Sequence, residues 1–192
     1  VAPGGTAAAG TRGAGAVAAA PARSPGTGPG PTLALSQGGW FGGGHGLGAA
    51  CDMVVASEDA IFSISETRWG LMAGIILPHL CHAIGLRQVR RYALTGERFG
   101  PEEARRIGLV HVVCPTGGLD TAGERIIDSI LMNAPRATTA TKLRALASAR
   151  ASIDDAELRI LIDEHARARQ TDEAREGLAS FREKRNAAWY PG

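Results

Sequence analysis

Apolar residues come in short bursts from residue 33 onward and settle into helical periods only in the last part of the chain. The runs at 33–35, 53–56, 61–64 and 109–113 are short, rich in Val, Ile and Leu, and bounded by turn residues, which predicts strands. Between them, 44–50, 75–83, 86–94 and 101–107 predict helices; Gly85 breaks the middle pair and Pro101 opens the last. Beyond Leu119 the pattern is helical throughout, with spans expected at 119–133, 136–149, 153–169 and 172–187. Ser152-x-x-Asp155 resembles a capping signal, and acids at 172–176 fall in the first turn of the last helix, where they oppose its dipole. Strands alternating with helices, then helices alone, is the order of an α/β layer with an all-α tail. Tails of this kind commonly pack against a neighbouring subunit.

Residues 1–30 break the pattern. They are almost entirely Ala, Gly, Pro, Ser and Thr, with Arg12 and Arg23 charged and Val1 and Val17 the larger apolar side chains. Such a segment cannot bury enough surface to offset its ordering entropy, and disorder is predicted. It lacks the Leu-rich centre of a secretory signal and has too few arginines for a typical transit peptide. A GC-rich gene read in the wrong frame would give the same composition. The expected division is a low-complexity segment at 1–30, an α/β core at 31–117 and a helical region at 118–192.

Charge and cysteines narrow the class. The 21 basic and 19 acidic residues leave a net charge of +2, which gives no reason to expect nucleic acid or an anionic membrane as partner. Cys51, Cys81 and Cys114 have neither CxxC nor Cys/His ligand spacing, as expected of a reduced, cytoplasmic protein. No apolar run approaches the roughly 18 residues of a membrane span.

Candidate chemistry concentrates between Gln37 and Gly74. Five glycines and two aromatics fall within 38–44, ahead of a helix. Glycine lets a ligand approach the main chain, and the free N–H groups of a helix start favour negative charge. An anion or oxyanion site is therefore expected, with Glu66 arriving from the next loop. Glu66 has the most apolar neighbourhood of any acid here, and loss of water favours a carboxyl's protonated form, which suits general acid–base work. A helix cap or an ion pair with Arg68 is the structural alternative. Gly44-x-Gly46-x-x-Ala49 matches a dinucleotide fingerprint in form, but two strand-like runs before Glu66 argue against it. Asp52 reads as a structural partner, and Glu58 and Asp59 as an exposed turn. His45 either touches a ligand or lines a pocket or faces solvent. Trp40, Phe41 and Trp69 either line an acyl pocket or fill core. His79 and His82 are three apart on a helix without an evident third ligand, so no metal is expected. Arg87, Arg90, Arg91, Arg98, Arg105 and Arg106 form a solvated basic face or meet a phosphate-bearing ligand.

Several motifs in order resemble the crotonase (enoyl-CoA hydratase/isomerase) superfamily. They are Gly42-Gly43-Gly44-x-Gly46-Leu47-x-x-Ala50-Cys51-Asp52, Ala60-x-Phe62, Ser65-Glu66-x-x-x-Gly70, 91–99, Ala104 with Gly108-Leu109-Val110, and Glu176-Gly177-x-x-x-Phe181-x-Glu183-Lys184-Arg185. Within it the chain looks most like bacterial methylglutaconyl-CoA or isohexenylglutaconyl-CoA hydratases. The resemblance covers 31–192 and implies a partial spiral of ββα units, a C-terminal helical region that builds homotrimers or hexamers, and an acyl-CoA thioester substrate. It implies no metal or redox cofactor, coenzyme A entering as part of the substrate. Gly43 carries over as a backbone oxyanion donor, with Gly44 beside it; losing one such donor typically costs about 3–4 kcal/mol. Glu66 carries over as acid–base residue and Gly74 as the turn that helps place water. The family's other glutamate maps to Gly46, which leaves Glu66 to work alone, as hydratase or as isomerase. Family members carry further strands ahead of the position of Pro31, with the other oxyanion donor, and residues 1–30 do not resemble them. A truncated or frame-shifted product, or an inactive relative kept as an assembly partner, is expected on that ground, with an unpaired sheet edge.

Overall fold

The computed structural model describes residues 28–149 and 154–191, and the backbone of two short strands before them. For the rest of 1–30 the expectation of disorder lies outside the described residues. The chain divides into two compact units, 32–125 with those strands, and 29–31 with 126–191.

In the first unit, β1 (Ala7–Ala8) pairs antiparallel with β2 (Val17–Ala19), and β2 pairs antiparallel with β3 (Leu33–Ser36). The edge of β3 is therefore covered, contrary to expectation, because the backbone of β2 supplies the ladder an open edge lacks. Next come β4 (Gly39–Phe41), α1 (Gly43–Ala50), β5 (Met53–Ser57) and β6 (Ile61–Ser63), then one 3-10 turn over Glu66–Trp69. Then follow α2 (Leu77–Thr95), α3 (Pro101–Arg106) and β7 (Val112–Cys114). β3, β5 and β7 run parallel in one sheet, and β4 and β6 run parallel in a second. Each ββα unit thus gives its first strand to one sheet and its second to the other. β5 reads Met-Val-Val-Ala-Ser because it lies between two parallel neighbours and is buried from Val54 to Ser57.

Two local differences from the sequence pattern have physical causes, and one expected break is kept. β4 was not expected as a strand, and exists through its register with β6, Trp40 opposite Phe62. The strand expected over 109–113 is shorter and displaced, as β7 at Val112–Cys114. The N–H groups of Leu109 and Val110 donate back to Ala104 O (2.9 and 3.2 Å), so these two residues close α3. The two helices expected around Gly85 are present as the two halves of α2, broken where Gly85 takes the non-helical φ 75°, ψ 154°.

The core is built on an aromatic chain. Trp40 packs edge-on to Phe62 at 5.9 Å, Phe62 stacks on Phe99 at 5.7 Å, and Phe99 meets Tyr92 at 4.2 Å. Phe62 and Phe99 also exchange backbone hydrogen bonds of 2.9 and 3.0 Å. Tyr92 O–H donates to Glu103 (2.5 Å), and burial with that contact pushes the phenol up to about 12.

α4 (Leu119–Leu131) leads into the second unit, which holds α5 (Pro135–Ser148), α6 (Asp155–Ala168) and α7 (Asp172–Glu183). The cap of α6 is Asp154, which accepts from the Ala156 and Glu157 N–H groups (3.0 and 2.9 Å). It replaces the expected signal at Ser152, which lies outside the described residues. Glu173 accepts from Arg136 N–H and Ala137 N–H, tying α7 to the start of α5. Arg144 bridges Glu157 and Glu164. Phe181 is 83% exposed, and Leu158, Ile160 and Ile162 are also exposed. Among the described residues no helix is long and apolar enough to cross a membrane.

Candidate active site at the glycine turn

β4 ends at Phe41, and Gly42 turns the chain into α1 with φ 54°, ψ −123°. Glycine alone adopts that backbone region at modest cost. His45 N–H and Gly46 N–H both donate to Gly42 O (3.0 and 3.3 Å), which starts the helix. No side chain caps it among the described residues. Among the described residues a Cβ on Gly43 or Gly44 would meet nothing within 4 Å, so they leave space open at the helix start. The first N–H groups of a helix have no intrahelical acceptor and attract negative charge.

Glu66 opens the 3-10 turn after β6 and comes to this place. Its Oε1 lies 3.6 Å from where a Cβ on Gly42 would stand. Its Oε2 is buried, with no hydrogen-bond partner among the described residues. The turn that carries it is fixed from several sides. Leu71 N–H donates to Glu66 O (3.0 Å), Thr67 Oγ1 to Ala93 O (2.9 Å) and Ser63 Oγ to Gly96 O (3.1 Å). Arg68 lies over Gly96 instead of pairing with Glu66.

Gly42, Gly43, Gly44 and Glu66 are thus brought together. Gly74 lies half-buried in the loop between the 3-10 turn and α2. Trp40 is in the core, 1% exposed, with Gly48 against its ring. Phe41 is 42% exposed, with the Arg98 guanidinium 5.5 Å from its ring centroid, and Trp69 is 77% exposed. Gly42 as the partner of Glu66, and Ile76 against Gly46, were not singled out from sequence. Only the unbroken glycine run hints at the first, and no local signal marks the second.

His45 takes neither position expected of it. It is fully buried, 5.8 Å from Phe62 and 5.9 Å from Phe99, ring to ring. Among the described residues neither ring nitrogen has a partner in hydrogen-bond geometry, although the Ser63 backbone lies close enough to oppose part of the effect of burial. Burial lowers its pKa to about 4, so the imidazole is a neutral core group.

The other candidates are structural. Asp52 Oδ2 accepts from Thr32 N–H (2.7 Å) and Thr32 Oγ1 (2.8 Å), and Thr32 Oγ1 accepts from Asp52 N–H. Glu58 and Asp59 form an exposed turn, with Glu58 accepting from Thr116. β5 and β6 both stand between α1 and Glu66, which removes the dinucleotide arrangement. In the basic stretch Arg91 pairs with Glu97, Arg105 with Glu102 and Arg106 with Glu103. No group of three or more possible metal ligands occurs among the described residues.

Comparison with known proteins gives a consistent answer. The sequence profile "Enoyl-CoA hydratase/isomerase" matches residues 26–191. A putative enoyl-CoA hydratase of Thermus thermophilus is 32% identical over 157 residues, 82% of this chain and 62% of its own length. A mitochondrial Delta(3,5)-Delta(2,4)-dienoyl-CoA isomerase of Dictyostelium discoideum is 34% identical, covering 81% of this chain and 53% of its own. The crystal structure of a putative enoyl CoA hydratase/isomerase (crotonase) from Legionella pneumophila superposes with a TM-score of 0.82 at 35% identity. That match covers 86% of this chain and 64% of the other. The chain therefore spans between half and two thirds of these relatives.

Proposed function

Since the chain belongs to the enoyl-CoA hydratase/isomerase family, with the crotonase fold, we propose that it adds water to 2-enoyl-CoA thioesters at the start of α1. Glu66 acts as the one acid–base residue, and Gly43 N–H is a donor to the thioester oxygen. Water oxygen bonds to C3 as its proton passes to Glu66. The C2–C3 π electrons move toward the thioester, whose oxygen gains enolate charge at the helix start. Protonated Glu66 then delivers a proton to C2, restoring the carboxylate. A methylglutaconyl-type acyl group is the proposed substrate, with Gly44, Gly74, Phe41 and Trp69 proposed to shape its surroundings and Trp40 backing them from the core. No metal or redox group has a step in this scheme. Assembly as trimers or hexamers through the helical region belongs to the same proposal.

The observation that carries this reading is the Glu66 carboxyl group, one oxygen buried and without a hydrogen-bond partner among the described residues, beside a helix start that no described side chain caps. A single acid also favours a second reading, isomerisation, in which Glu66 takes a proton from one carbon and returns it to another.

The test is loss of the enoyl-thioester absorbance with crotonyl-CoA and methylglutaconyl-CoA, with Glu66→Gln alongside. Turnover that falls by a factor of about 100 or more in the variant is expected, with a product heavier by one water. A product of unchanged mass selects isomerisation. Turnover that survives the substitution removes Glu66 from its role, and a wild-type chain without turnover supports a structural assembly partner instead.

A further inference from the structure

Glu66 and Ile76 meet successive turns of α1. The position of a Cβ on Gly42 is 3.6 Å from Glu66 Oε1; a Cβ on Gly46, one turn later, would overlap Ile76 Cγ2 and stand 2.6 Å from Ile76 Cβ. The obstructing atoms are the branched root of the side chain, and Ile76 Cα itself is 3.5 Å away. Rotation about χ1 is restricted for a β-branched residue, so the obstruction cannot swing clear cheaply. Ile76 is also held in place. It is 8% exposed, its N–H donates to Ala73 O (3.0 Å), and its carbonyl accepts from Leu80 N–H (3.1 Å).

We infer that Ile76 is a specificity-determining residue of this site, which denies position 46 to any side chain. Glu66 consequently works beside a hydrocarbon wall and not beside a second acid. The functional side of this inference rests on the activity proposed above. A second carboxylate on α1, one turn beyond the Gly42 that Glu66 approaches, would hold and orient a water by hydrogen bonding, which a hydrocarbon surface cannot do. Ile76 thereby biases the site toward what one carboxyl group can accomplish, and slows water addition to a small, unbranched acyl group.

The test is a set of substitutions read first by thermal unfolding. Alanine ordinarily stabilises a helix interior relative to glycine. Gly46→Ala is expected to lower the unfolding midpoint by several degrees with Ile76 present, and to raise it in an Ile76→Ala background. A rise in both backgrounds overturns the inference, because position 46 would then be open. The second reading is hydration of crotonyl-CoA. Gly46→Glu/Ile76→Gly is expected to be at least tenfold faster than Ile76→Gly, while Gly46→Glu alone loses folded protein. A double variant no faster than Ile76→Gly, when the wild type turns over, overturns the specificity role. A wild type without turnover counts against the proposed activity alone, since the unfolding comparison still decides whether Ile76 closes position 46.

Discussion

Glu66 Oε1 stands 3.6 Å from the point a Cβ on Gly42 would occupy, and Gly42 itself adopts φ 54°, ψ −123°. These two facts predict different penalties for Gly42→Ala. A 3.6 Å separation is ordinary contact, so the methyl group fits beside the carboxyl group. The backbone conformation is the obstacle, at a cost of about 1–3 kcal/mol. Urea unfolding should show that loss. Turnover of an enoyl-CoA should fall further than stability alone explains, because a relaxed turn redirects the first N–H groups of α1. Unchanged stability would mean that the turn tolerates another conformation.

Gly48→Ala should destabilise even though alanine is the better helix former. A Cβ at position 48 would overlap Trp40 Cζ3 and lie 2.5 Å from Cη2, in a core where Trp40 is 1% exposed. Overpacking costs about 1–3 kcal/mol, against a gain of at most about 1 kcal/mol from removing a helical glycine. The first exceeds the second over most of that range. In a Trp40→Phe background the ring is smaller and the same substitution should cost less. Equal costs in both backgrounds would show that the ring is not what excludes the methyl group.

How much of this was legible depends on whether the deciding contact is local. β3, β5 and β6 could be read directly, since short apolar runs between turn residues leave few alternatives. β4 could not, because Gly39-Trp40-Phe41 becomes a strand only through pairing with β6. The glycine turn and Glu66 are visible as motifs, yet the contact that joins them falls on Gly42, a residue distinguished by its φ and ψ alone. Ile76 carries no mark in sequence, since its effect is to fill space beside a glycine on another helix. His45 is the plainest miss. A histidine in a glycine run suggests a ligand or solvent, and only the approach of Phe62 and Phe99 makes it core. For Trp69 the core alternative falls away, since the indole is left exposed.

Thr32 and Asp52 clamp the start of β3 to the α1–β5 junction through three hydrogen bonds of 2.7–2.9 Å. Thr32→Val keeps the shape of the side chain and the Thr32 N–H bond, and removes the hydroxyl as donor and as acceptor. Thr32 is 8% exposed, so the Asp52 N–H loses its acceptor in a site with little access to water. A loss of about 1–3 kcal/mol is expected, measured by chemical unfolding, with Thr32→Ser close to wild type. A Thr32→Val protein as stable as Thr32→Ser would show that water replaces the hydroxyl.

His45 makes the fold sensitive to mild acid. Its pKa is about 4 when folded, against 6.5 as the ordinary value, because burial between aromatic rings penalises the charged ring. Between these values the unfolded chain binds a proton that the folded chain does not, so folding stability rises with pH across the window. The contribution is fully present above about 6.5, declines as pH falls, and stops changing once the folded form also takes up the proton near 4. At about 1.4 kcal/mol per pH unit of displacement, the total is roughly 3 kcal/mol. His45→Phe keeps an aromatic ring of similar size and cannot titrate. Urea unfolding at a series of pH values from 7 to 4 should therefore show a steeper loss in the wild type than in the variant. Parallel curves would mean that the protonated imidazole finds a hydrogen-bond acceptor within the folded chain and that His45 is not held as a neutral core group.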